Sequence, residues 1–93
     1  MMASRRKLKK HINNLCFKVT GECFTFLEHT PSLNQENVQL IIADAVELRN
    51  RLVYMLNNPQ PATGNTRMYY RDIRKELHEN TRELIGRLNS LPR

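Results

Sequence analysis

Phe17-Lys18-Val19-Thr20-Gly21-Glu22-Cys23-Phe24-Thr25-Phe26 is the stretch on which the fold turns. Read by local propensity alone, it is aromatic and β-branched residues around a Thr-Gly pair, the composition of a short hairpin. Read with its neighbours, it continues a helical period. Leu8, Ile12, Leu15, Val19, Cys23 and Phe26 recur at spacings of three and four, with Cys16 and Leu27 alongside. The period runs unbroken from Leu8 to Phe26, and a hairpin would leave the rest of the chain a thin packing partner. The helix is therefore the preferred reading, with Ser4 as an N-cap. Gly21 costs about 1 kcal/mol inside a helix, so it marks either a kink or a close approach of another backbone.

Two breaks bound the rest of the chain. The first is Glu28-His29-Thr30-Pro31-Ser32; the second runs from Asn57 to Thr66 and holds Pro59, Pro61 and Gly64. Between them, Val38, Ile41, Ala45, Leu48, Leu52 and Met55 form one helical row, and Ile42, Val46, Val53 and Leu56 form a second. Two rows are more than one neighbour requires, so this helix should contact both others. Ser32 with Gln35 suits a capping box, and Asn34 competes as N-cap. Pro59 suits the end. The third segment lines up Tyr70, Ile73, Leu77, Leu84, Leu88 and Leu91, with Thr81 in the gap and Asn65 or Thr66 as a cap. Lys75 with Glu79 and Glu83 with Arg87 are attractive pairs on its exposed face. The expectation is an all-α three-helix bundle, helices over 4–28, 34–57 and 66–91, forming one domain over 1–93 with a Pro/Gly/Asn-rich connection at about 57–66.

Length and charge limit function. With 93 residues there is no room for a two-domain enzyme, and no apolar run approaches the ~18 residues of a membrane span. The net charge of +6 is divided: +4 over residues 1–30, −1 over 31–57 and +3 over 58–93. Arg5, Arg6, Lys7, Lys9 and Lys10 form the densest run, a solvated helix start or a set of phosphate contacts. Cys16 and Cys23 lie about 10 Å apart along a helix axis, too far for a disulfide. Free thiols suit a reducing compartment, and a cytoplasmic location is expected. Asn13, Asn14, Lys18 and Glu22 interrupt any apolar leader, so secretion is not expected.

The most informative residues are misplaced. Phe17 and Phe24, seven residues apart, share a stripe on the side of the first helix away from its apolar row, with Thr20 and Gly21 between them. A three-helix monomer has no second core for them. They pack against another chain, or the first helix is more central than assumed, or the hairpin reading is right. A second chain is favoured, and a symmetric dimer is its commonest closed form. Phe17, Gly21, Phe24 and Arg49 are the candidate interface. Arg49 interrupts the apolar face of the second helix. It either snorkels, its stem covering apolar surface, or makes a buried polar contact with a carboxylate or helix end. Arg74 is similarly placed on the third helix, and snorkelling is the plainer reading there.

Other chemistries find less support. His11, His29 and His78 are scattered, and Cys16 and Cys23 lack metal-ligand spacing. There is no phosphate loop, nucleophile elbow or H-E-x-x-H, so neither catalysis, a cofactor nor a small-molecule substrate is expected. Nucleic-acid binding is the chief alternative, through the basic start and with Arg67, Arg71, Arg74, Lys75 and Arg82 extending the positive surface. The connections are too long for a helix-turn-helix, and no RNP-like aromatic motif is present. Surface binding to a membrane would need more exposed apolar area than the first helix securely offers.

The opening Met2-Ala3-Ser4-Arg5-Arg6-Lys7-Leu8-Lys9-Lys10-His11-Ile12-Asn13 resembles the start of a group of short bacterial helical proteins with a basic S-x-R-x-L-K-K-x-I-N opening. The Asn37-Val38 segment and Tyr69-Tyr70-Arg71-Asp72-Ile73 look like the corresponding later helix starts. The resemblance implies an all-helical cytoplasmic domain, with no assigned activity and no functional residues to carry over.

Overall fold

The stretch over 17–26 is helical throughout. In the computed structural model, which describes residues 5–30, 34–58 and 66–92, α1 spans Arg5–His29, α2 Gln35–Asn57 and α3 Thr66–Asn89. No strand occurs among the described residues. Tertiary burial overrides the local β-tendency: Val19, Cys23 and Phe26 all turn into the core. The threonines find local partners within the helix. The Thr20 hydroxyl donates to the Phe17 carbonyl at 2.9 Å and that of Thr25 to the Gly21 carbonyl at 3.1 Å.

One core joins the three helices. Leu8, Ile12 and Val19 of α1 meet Val38, Ile41, Leu52 and Leu56 of α2 and Ile73, Leu77, Leu84 and Leu88 of α3. Each helix packs on the other two, so α2 has the two neighbours its apolar rows require. Its second row is buried only in part. Val53 and Leu56 are enclosed, Ile42 is half-buried, and Val46 stands 49% exposed. On α3, Thr81 fills its gap in the row and is buried, its hydroxyl donating to the Leu77 carbonyl at 2.8 Å. Tyr69 joins the edge of the core and donates its hydroxyl to the Met55 carbonyl at 2.8 Å.

The helix ends differ from the expected caps. Asn34 takes the N-cap position of α2 in the left-handed region, φ 60°, but its side chain makes no capping bond. Its amide instead donates to the Pro92 carbonyl at 2.8 Å, tying the start of α2 to the end of the chain. At the other end of α2, the Asn58 backbone and side-chain amides both donate to the Tyr54 carbonyl. The roles expected of Ser4, Ser32, Pro59 and Asn65 lie outside the described residues. The ion pairs also differ from those expected along α3. Among the described residues they cross between helices, Arg51 to Glu76 and Arg87 to Asp44.

Candidate interaction site

Antiparallel packing of α1 on α2 opens a shallow groove of about 230 Å³ between them. Cys16, Phe17 and Thr20 line it from α1, and Ala45, Val46 and Arg49 from α2. Phe17 is 71% exposed and Phe24, two turns further along, 59%. With Val46 they leave a run of large apolar side chains in solvent on neighbouring helices. Gly21 lies on the same outer side of α1, with nothing within 4 Å of the position a Cβ would take. α1 continues through it, and within this chain no other backbone approaches it closely.

Arg49 combines the two behaviours expected of it. It is half-buried at the groove, and its head is held by amides rather than by a carboxylate or a helix end. Its Nε donates to Asn13 Oδ1 across the α1–α2 seam at 2.8 Å, and Nη1 donates to the adjacent Asn50 Oδ1 at 3.0 Å. Of the four candidate interface residues, Phe17 and Arg49 therefore share a groove. Gly21 and Phe24 extend the same face beyond it.

The thiols are buried and unpaired. Burial pushes both above their ordinary value. Arg49 pulls Cys16 partly back, and Glu22 adds to the rise at Cys23. Neither carries the depressed value of a thiolate nucleophile.

The basic run divides. Arg5, Arg6 and Lys9 gather with Asn57 where α1 begins and α2 ends. Lys7 and Lys10 are exposed and lie outside that cluster.

Two histidines called scattered in the sequence meet in the fold. His11 Nε2 lies 3.2 Å from His78 Nε2, with ring centroids 5.1 Å apart. At this separation one imidazole must donate and the other accept. Burial first, then the charges of His78 and Arg74, hold His11 below its ordinary value of 6.5. No third ligand joins them: among the described residues, no group of three or more His, Cys, Asp and Glu side chains is placed to hold a metal ion. Nor, among the described residues, is any helix long and apolar enough to cross a membrane.

Sequence reading missed Val46 and the histidine pair. Val46 sits at the border of an apolar arc, and its exposure depends on where α1 crosses. His11 and His78 each border a core row, next to Ile12 and Leu77, but 67 residues separate them and no local period connects them. Comparison with protein families, with curated proteins and with solved structures returns no match.

Proposed function

We propose that this chain is a non-catalytic, cytoplasmic interaction module that self-associates through the outer face of α1, two copies meeting antiparallel. The observation that carries this reading is the exposure of Phe17 and Phe24 on one stripe beside the exposed Val46. Each phenylalanine brings roughly 150–250 Å² of surface, enough to form the centre of an interface of about 800 Å² per partner. A second copy is the fitting occupant because the face is complementary to itself. In an antiparallel pair centred on position 19, Phe17 of one copy lies level with Gly21 of the other, a knob over a bare backbone. The same register sets Lys10 level with Glu28, opposite charges at the two ends of the stripe that holds Phe17, Gly21 and Phe24. Arg49, clamped by Asn13 and Asn50, holds the flank of this face in place. The two free, buried thiols suit the reducing compartment.

Light scattering on a sizing column at tens of micromolar tests the proposal. The expected mass is twice 11.0 kDa. Phe17→Ser with Phe24→Ser should give a helical monomer, and a wild-type monomer would overturn the reading. Lys10→Glu should weaken association and Lys10→Glu with Glu28→Lys should restore it. Failure of that rescue rules out this register.

A further inference from the structure

The opposite flank of α1 has another character. On α3, Arg67, Arg71, Arg74, His78 and Arg82 follow spacings of four, three, four and four, one continuous stripe of a helix. On α1, Lys7, His11 and Lys18 lie at spacings of four and seven, and Glu22 ends the row one turn further on, where α1 meets the last turn of α3. The His11–His78 contact sets the two rows side by side, and Arg74 is close enough for its charge to act on His11. The carboxylates of α3 are segregated from this stripe. Asp72, Glu76, Glu79 and Glu83 follow their own four-three-four spacing on another side, where Glu76 pairs with Arg51 of α2. Lys18, Arg71, Arg74 and Arg82 take part in no ion pair among the described residues.

We infer that the α1–α3 seam binds the phosphate backbone of a nucleic-acid duplex, without reading its sequence. From Arg67 to Arg82 the α3 row runs about 22 Å along its helix, the length of about six base-pair steps at roughly 3.4 Å each. Packed helices hold the rows about 8–10 Å apart, a band of cations rather than a point cluster. A single strand would call for aromatic stacking platforms. The tyrosines near this seam point elsewhere: Tyr69 and Tyr70 are half-buried against the core. A membrane would call for exposed apolar side chains. Among the described residues, Phe17, Phe24, Leu40, Val46 and Tyr54 stand on other faces, and only Met68 lies at the start of α3. The histidine pair adds a proton linkage. The charges acting on His11 come from His78 and Arg74 of α3, with Lys7 one turn away on its own helix. All are cationic or become so, and they disfavour protonation until a phosphate arrives. Binding should therefore take up a proton and tighten as pH falls.

The probe is a fluorescein-labelled duplex of about 20 base pairs, followed by anisotropy against salt. Four phosphate contacts predict an affinity loss of about a hundredfold between roughly 50 and 200 mM salt. Arg71→Gln with Arg82→Gln should weaken binding and flatten the salt slope by about two contacts' worth, while circular dichroism stays helical. His11→Gln should lose the tightening that the native chain shows, about threefold or more, between about pH 7.5 and pH 5.5. Three results would overturn the inference: no duplex binding at low salt, tighter binding to the matching single strand, or binding to phosphatidylserine vesicles but not to the duplex. So would a loss of binding in Arg5→Gln with Lys9→Gln while Arg71→Gln with Arg82→Gln bind normally, since the contact would then lie at the start of α1.

Discussion

Across the flank that α1 turns to α2 and the flank it turns to α3, the polar contacts differ in kind. Toward α2 the cross-seam contact is a guanidinium held by neutral amides, Arg49 to Asn13, beside the uncharged, partly apolar surface of Phe17 and Val46. Toward α3 it is a pair of imidazoles, His11 and His78, inside a band of cations. Arginine keeps its charge at any working pH, whereas His11, held below its ordinary value of 6.5 by burial and then by His78 and Arg74, changes state as pH falls. One helix thus carries a seam indifferent to pH and a seam sensitive to it. Both rest on the same buried row, and that gives the comparison its first test. Ile12 is fully buried at the level of both contacts. Ile12→Ala should cost about 2–5 kcal/mol, read as a drop in urea midpoint. Loss of the α1–α2 seam alone, with the α3 contact intact, would show that the two flanks are not supported by one core.

The second test separates the seams. Arg49→Met keeps an unbranched stem in the groove but leaves Asn13 and Asn50 without their donor. Hydrogen bonds to a charged group are worth about 1.5–3 kcal/mol, and half-burial places this one near the lower end. The expected loss is about 1.5 kcal/mol, unchanged between about pH 8 and pH 5, below the range in which Cys16 ionises, when unfolding is followed by circular dichroism. A loss that grows or shrinks with pH would mean that Arg49 is coupled to the histidine pair across the bundle.

Gly21 gives a smaller effect with two signs. A methyl group there meets nothing within 4 Å in one chain. Gly21→Ala should therefore raise monomer stability by about 0.8–1 kcal/mol through helix propensity. In the proposed dimer the same methyl fills the space under Phe17 of the second copy, so association should weaken. A variant more stable in urea at low concentration yet less associated on a sizing column fits both statements. Gains in both measurements would sink the Phe17–Gly21 register.

The fold was legible because it rests on periodicity. Leu8 to Phe26, Val38 to Met55 and Ile73 to Leu88 each keep a three-four spacing that only a helix turns to one side. The helix boundaries fall within two residues of those expected at every end. Even the stretch over 17–26 was decided by the same signal against its β-forming composition. The surfaces were less legible, because a surface belongs to two helices at once. Phe17 and Phe24 stood out as a violation within one helix. Val46 violates nothing in α2 and becomes exposed only because α1 passes on one side of it. The same holds for charge. The cations and carboxylates of α3 look mixed when read along the chain and separate only when its stripes are assigned to neighbours. Asn34 shows the limit at a helix end: its cap position was expected, but its partner, Pro92, lies 58 residues away.

The smallest expected effect is the one that distinguishes the seams most directly. In the folded chain His11 takes up a proton less readily than at its ordinary value of 6.5, because of burial, then His78, then Arg74. The unfolded chain lacks these neighbours and binds the proton sooner. Below about pH 6.5 the unfolded state therefore holds more protons, and stability falls as pH falls. The contribution is complete above 6.5 and is lost progressively as pH drops through the lower folded value. His11 is only partly buried, so the loss is modest, and the measurement is a difference: melting temperature from about pH 8 to pH 5 for the native chain and for His11→Gln. Carboxylates titrate in both and cancel. The native curve should fall more steeply on the acid side. A separation appearing instead above neutrality would mean that the folded chain favours charged His11, and that the α3 side of α1 already holds a negative group to balance it.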